Sequence, residues 1–188
     1  MSASGEEGKA AARKVPRVDL RKFLAGGVAG RREAVALVGD ALREEGAVRV
    51  EGQDGDDGAS LAAVGSHLLA ALEDYFGLAA GAFGAGRAMA IEPTPPSADA
   101  GTLIVVLGSV PPGTEVEAPD RPPRPVAAHP GELLAAPGPA LSRLTGGVVP
   151  AARVRWPPGA ALAVALTLPS PELTAALPEF RDVGPHGT

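Results

Sequence analysis

Apolar residues recur at helical spacing in two segments of the first half of the chain. In residues 31–45, Val35, Val38 and Leu42 are three or four positions apart, and Gly46 follows the last of them. The second segment begins at Ser60, which can cap a helix, and one face of it then carries Leu61, Val64, Leu68, Leu72 and Phe76. The spacing predicts helices over 31–45 and 60–76.

The other apolar residues fall into short runs that Pro and Gly separate, a pattern typical of strands in a sandwich or barrel. The runs predict strands over residues 15–19, 47–51, 88–92, 102–108, 114–118, 124–128, 132–136, 151–155 and 161–168. Residues 171–177 favour a last short helix. The predicted class is therefore α+β, with two helices followed by an antiparallel β domain.

Polarity at the two ends of the sequence divides the chain further. Residues 1–14 are small and polar, which predicts a disordered leader, and residues 182–188 are expected to form a flexible tail. Residues 15–181 then form one domain, since 188 residues are enough to bury a substantial core.

Composition excludes several classes of partner and cofactor. The net charge is -5 with no long basic run, which argues against nucleic acid, and the absence of cysteine excludes disulfides and thiolate metal sites. No stretch approaches the ~18 to 20 apolar residues that a membrane helix needs, and the N-terminal residues lack the apolar centre of a signal peptide. We therefore expect a cytoplasmic protein with no membrane partner.

Three motifs in the first half occur in a specific order. Residues 15–20 read VPRVDL, residues 41–50 read ALREEGAVRV, and residues 74–78 read DYFGL at the end of the second predicted helix. This arrangement resembles the N-terminal region of the isopenicillin N synthase-like branch of the iron(II)/2-oxoglutarate oxygenases.

The second half resembles the double-stranded β-helix of the same superfamily, a jelly-roll or cupin-like core. The matching stretches read SADAGTLIVVL at 97–107, GTEV at 113–116, PGELL at 130–134 and LTGGVVPAARV at 144–154. Compared with the family pattern, the chain looks truncated, because a long segment after the second helix and the C-terminal helices are missing or reduced.

The resemblance also locates the positions that carry the family's chemistry, and most of them are changed here. The two histidines and one carboxylate that hold iron correspond to Ser97, Asp99 and Ala152, so one ligand of three is retained. The arginine and hydroxyl that hold 2-oxoglutarate correspond to Ala161 and Ala163. We therefore expect no iron, no 2-oxoglutarate and no other cofactor.

A few residues remain as candidates for chemistry or binding. Asp99, Arg153 and Arg155 are the candidate catalytic groups, with a loop cap or a relic as the alternative role of Asp99. Strand spacing puts Arg153 and Arg155 on one face, which we expect to lie next to the former iron site. Together with Arg143 and Trp156 they could bind an anionic or carrier-linked ligand, or form a salt-bridged strand face with a packing anchor.

Two functions fit this combination. The first is a non-catalytic pseudo-oxygenase subunit that pairs with and supports a partner enzyme, for which a related, larger homologue is the natural candidate. The alternative is a cofactor-independent enzyme that uses the emptied pocket for a redox-neutral cyclisation or elimination. A third interpretation, an iron enzyme, would require His67 or His129 to reach the pocket. The resemblance implies secondary metabolism as the setting.

Overall fold

A computed structural model describes residues 14–51, 58–84, 87–91, 101–127, 129–157 and 162–168. The strands are β1 (Arg17–Asp19), β2 (Val48–Glu51), β3 (Arg87–Ile91), β4 (Thr102–Leu107), β5 (Glu115–Glu117), β6 (Arg124–Pro125), β7 (Glu132–Pro137), β8 (Arg153–Arg155) and β9 (Ala163–Thr167). The helices are α1 (Leu20–Ala25), α2 (Gly27–Asp40), α3 (Gly58–Phe76) and α4 (Pro139–Leu144).

The strands form two sheets. The large sheet has the order β1-β2-β7-β4-β9-β3, and the small sheet has the order β6-β5-β8. Neighbouring strands are antiparallel except for β1 and β2, which pair in parallel with Val18 beside Val50. The chain is therefore α+β, and all strands after α3 pair in the antiparallel sense, as predicted for the β domain, while the parallel pair β1–β2 precedes that domain.

All nine predicted strands overlap observed ones, and both predicted helices form. The first helix begins earlier than predicted, at Gly27, and its last turn, Ala41–Glu45, is π-helical before Gly46 adopts a left-handed conformation with φ 70°. The helix predicted over 171–177, the leader before residue 14 and the tail after 181 lie outside the described residues.

Two helices occur where the sequence pattern predicted none. Asp19 caps α1, because its Oδ1 accepts a hydrogen bond from the Arg21 amide at 3.0 Å. Pro139 occupies the first turn of α4, where its missing N–H costs nothing. Both helices have six residues, too short for a periodic pattern to identify them.

The main core lies between the large sheet and the helices. Alternation along β2 directs Val48 and Val50 towards this core, and α3 lies close to the sheet because Gly65 has no side chain. A Cβ at Gly65 would come within 2.5 Å of Leu166 Cδ1. Removing one fully buried leucine from such a core costs about 2–5 kcal/mol, so this packing is a principal source of stability.

Candidate functional site

A second core, which we call the inter-sheet cluster, fills the space between the two sheets. Its members are alkyl side chains from both sheets and their connections: Val15, Ala47, Leu107, Val110, Val116, Val126, Leu134, Ala136, Ala152, Val154 and Ala163. If the resemblance to the iron(II)/2-oxoglutarate oxygenases holds, this interior corresponds to the part of the fold that holds their catalytic residues.

Two of the positions that match functional residues of the family belong to the inter-sheet cluster. Ala152 precedes β8, its amide donates a hydrogen bond to the Pro137 carbonyl at 2.9 Å, and it is buried close to Gly46. A Cβ on Gly46 would lie 3.2 Å from the Ala152 methyl. Ala163 opens β9 beside Leu107 and is fully buried. Methyl groups offer no donor atom to a metal or a carboxylate, so these positions do not fit iron or 2-oxoglutarate.

The other motif positions, Ser97, Asp99 and Ala161, lie outside the described residues. Within the described ranges, no group of three or more His, Asp or Glu side chains is arranged to hold a metal ion. His67 is half-buried on α3, and its enclosed Nδ1 makes no hydrogen bond to a described residue. His129 is exposed before β7, and His186 lies beyond residue 168.

The candidate arginines are not gathered into one site. Arg153 and Arg155 share a face, as the strand spacing predicts, but that face is exposed, and Val154 between them enters the inter-sheet cluster. The two arginine side chains therefore point away from the inter-sheet cluster, to which Ala152 belongs. Arg155 instead forms an ion pair with Glu117 on the neighbouring strand at 2.8 Å. Arg143 lies on α4, a helix that packs against the main core.

Trp156 follows β8 and packs against the inter-sheet cluster. Its indole Nε1 is enclosed and donates no hydrogen bond to any residue that the structure describes. A half-buried indole in contact with alkyl groups fits the role of a packing anchor.

A buried ion-pair network, which sequence reasoning missed, joins the end of α2 to the small sheet. The Glu45 carboxylate is 8% exposed and accepts hydrogen bonds from Arg124 and, at 3.2 Å, from Arg121. Arg124 also donates from Nη2 to the Glu45 carbonyl at 2.6 Å. These residues are more than 70 positions apart, so no local pattern indicated the contact.

A second network, built on Glu132, lies on the inter-sheet face of the large sheet. Glu132 accepts hydrogen bonds from Arg17 and Arg49, both at 3.1 Å, and Arg17 also pairs with Glu51 at 3.0 Å. The alternation V-R-V-E over residues 48–51 could have indicated this network, because it puts Arg49 and Glu51 on the face of the sheet opposite the main core.

An outer groove of about 520 Å³ runs along α2 and the end of α3. Val28 and Val35 provide apolar lining, and Arg31 bridges to Asp74 at 2.7 Å while stacking on the Phe23 ring at 4.6 Å. Tyr75 also lines the groove. Burial and the hydrogen bond to Asp40 at 2.7 Å raise the pKa of Tyr75 to about 12, so its hydroxyl stays protonated at neutral pH.

No protein-family model matches the sequence. No curated protein matches it either. Solved structures do match. The dioxygenase for auxin oxidation in rice superposes with a TM-score of 0.69 at 16% identity, over 90% of this chain and 88% of that one.

Two further structures give the same result. Dioxygenase for auxin oxidation 1 from Arabidopsis thaliana, solved with 2-oxoglutarate, has a TM-score of 0.67 at 10% identity, over 89% of this chain and 100% of that one. A full-length protein from Neurospora crassa, solved in complex with α-KG and thymine, has a TM-score of 0.62 at 10% identity, over 84% of this chain and 86% of that one. The chain therefore has the iron(II)/2-oxoglutarate oxygenase fold. At these identities the likeness concerns the fold, and function has to come from the site.

Proposed function

We propose that this protein is a non-catalytic pseudo-oxygenase subunit that binds and supports a partner enzyme. The observation that carries the proposal is the inter-sheet cluster, which includes Ala152 and Ala163 at two positions where the family pattern has functional groups. Alkyl side chains there stabilise the fold by burial and supply neither ligands nor acid–base groups.

The strand arrangement supports a more specific description of the fold. Strands β3, β9, β4 and β7 are antiparallel neighbours in the large sheet, and the antiparallel strands β6, β5 and β8 form the small one. Because the inter-sheet cluster lies between them, we propose that the two sheets form a double-stranded β-helix.

The alternative, a cofactor-independent enzyme, depends on a pocket that the lost ligands have emptied. Leu107, Leu134 and Val116 are fully buried in the inter-sheet cluster, so alkyl side chains occupy the part of the interior around Ala152 and Ala163. Arg153 and Arg155, two of its candidate catalytic groups, are exposed on the outside of the small sheet. Both observations favour the subunit over the enzyme.

Exposed apolar side chains at the junction of α1 and α2 are the surface we assign to the partner. Leu24 is 52% exposed and Val28 is 74% exposed, and Val28 borders the outer groove. Charged residues beside this apolar surface are Arg32 and the ion pair of Arg31 with Asp74. A partner with apolar side chains and nearby carboxylates would match it, since interfaces combine an apolar centre with a polar rim.

Native mass spectrometry of the chain purified from its own host tests the proposal. We expect a complex of fixed stoichiometry with a second protein, which a related, larger homologue would satisfy. The variant V28E should release that protein, whereas A63E, which adds the same charge at an exposed site on α3, should retain it. A chain that purifies without a stoichiometric partner contradicts the subunit role, and a complex that survives V28E contradicts the assigned surface.

The cytoplasmic location and the setting in secondary metabolism remain part of the proposal and come from composition and from the resemblance. Among the described helices, none is both long and apolar enough to cross a bilayer. Identification of the partner would show which pathway the complex serves.

A further inference from the structure

A basic cavity lies where the chain enters the large sheet. Its volume is about 260 Å³, and its polar lining consists of Lys14, Arg49, Arg124 and His129. None of the described residues that line it is acidic. Four residues with nitrogen-bearing side chains therefore line one partly open cavity. They come from the segment before β1, from β2, from β6 and from the segment before β7.

Hydrogen bonds to neighbouring residues hold the two arginines of the cavity in place. The Arg49 side chain is 13% exposed, and it donates from Nε to the Val15 carbonyl and from Nη1 to Glu132, both at 3.1 Å. Its Nη2 donates no hydrogen bond to another residue in the described ranges. The Arg124 side chain is 15% exposed and is fixed by the Glu45 side chain and carbonyl. Guanidinium groups fixed in this way lose little conformational entropy when they bind a ligand.

The carboxylates around the cavity do not balance its positive charge. The Glu45 and Glu132 networks together contain four arginines and three carboxylates, and Lys14 adds one more positive charge. With His129 taken as neutral, these groups carry five positive and three negative charges, and Arg17 and Arg121 belong to the networks without lining the cavity. Because Lys14, Arg17 and Arg121 are solvent-exposed, this excess of positive charge attracts an anion most strongly at low ionic strength.

We propose that this cavity binds a compact dianion whose oxygens accept hydrogen bonds from the arginines, either a phosphate group or a short dicarboxylate. The volume lies just below the roughly 300–1,000 Å³ of sites for drug-sized ligands, which favours a small ion or the anionic end of a molecule. The outer depression beside Arg153 suits an anion less well, because Glu117 and Asp120 also line it. The inference does not depend on the subunit role.

Isothermal titration calorimetry with inorganic phosphate and with succinate tests the inference, with acetate at matched ionic strength as the monoanion control. We expect saturable binding of phosphate, of succinate or of both, little heat from acetate, and weaker binding at high salt. Binding of phosphate alone assigns a phosphoryl ligand, and binding of succinate alone assigns a dicarboxylate. If neither dianion binds more tightly than acetate, the inference is wrong.

Variants then locate the bound ion. Lys14 and His129 are exposed and form no part of the buried networks, so K14Q and H129Q should fold normally. K14Q removes a positive charge and should weaken binding by about threefold. R49K keeps the charge but loses the second nitrogen of the fork, and circular dichroism verifies its fold. The control R153Q, on the outer face of the small sheet, should bind as the unmodified protein does. Binding that R153Q weakens and K14Q and H129Q do not would overturn the assignment.

Discussion

Replacing Glu45 by glutamine removes the negative charge that two arginines share. The Glu45 and Arg124 side chains are both largely buried, so their contact counts as a buried ion pair. Disrupting a buried ion pair costs about 3–5 kcal/mol. The pair with Arg121 counts for less, because that side chain is 40% exposed. Glutamine retains one acceptor oxygen. We therefore expect E45Q to lower the free energy of unfolding by about 2–3 kcal/mol.

Urea denaturation followed by circular dichroism measures this loss, and for a protein of this size the melting temperature should fall by roughly 5–10 °C. The control is E33Q, the same substitution on α2. Glu33 pairs with Lys22 at 2.9 Å, but its side chain is 62% exposed, so E33Q should leave the free energy of unfolding almost unchanged. If E45Q and E33Q cost the same, the Glu45 network does not stabilise the junction between α2 and the small sheet.

Three further experiments test the helix layer. G39A should cost about 1–3 kcal/mol, because the new Cβ would lie 2.2 Å from the Tyr75 ring, whereas G30A, with no contact closer than 3.4 Å, should be neutral or stabilising in denaturation. E73Q loses one of two buried acceptors for backbone amides in the loop after α3, so those amides should exchange with deuterium faster. Tyr75, the sole tyrosine, should ionise near pH 12 in ultraviolet titration, and D40N should lower that midpoint while leaving it above 10, since burial is the larger cause.

The titration of Tyr75 also has a definite consequence for stability. Because folding raises the pKa of this acid, the folded state holds the proton more tightly than the unfolded state does. The contribution is fully present below pH 10 and is lost as the pH rises from 10 towards 12. A denaturation midpoint that stays constant across this window, after correction for lysine titration, would contradict the assignment.

Most of the fold could be predicted from the sequence, because strand and helix positions depend on local patterns. Val48 and Val50 alternate with Arg49 and Glu51, and the apolar face of α3 repeats at 3.6 residues over 19 positions. The parallel pairing of β1 with β2 could not be predicted in this way, since it joins segments about 30 residues apart through backbone contacts.

In the candidate site, too, local sequence motifs could be predicted and long-range contacts could not. Motif matching identified Ala152 and Ala163 as alkyl replacements, and the structure places both in the inter-sheet cluster. The networks of Glu45 and Glu132 were missed, because each carboxylate contacts arginines that are at least 76 residues away along the chain. Alternation along a strand does not show whether solvent or a second sheet covers the polar face, and Arg49 lies inside because the small sheet covers that face.

Binding of iron(II) and 2-oxoglutarate to the purified chain is the measurement that tests the central claim most directly. Anaerobic calorimetric titration, with an oxygenase of the same fold as positive control, should give no one-to-one iron binding and no iron-dependent binding of 2-oxoglutarate. One iron per chain, bound more tightly in the presence of 2-oxoglutarate and lost in D99A, would contradict the account. That result would mean that the interior holds iron despite the alkyl side chains of Ala152 and Ala163.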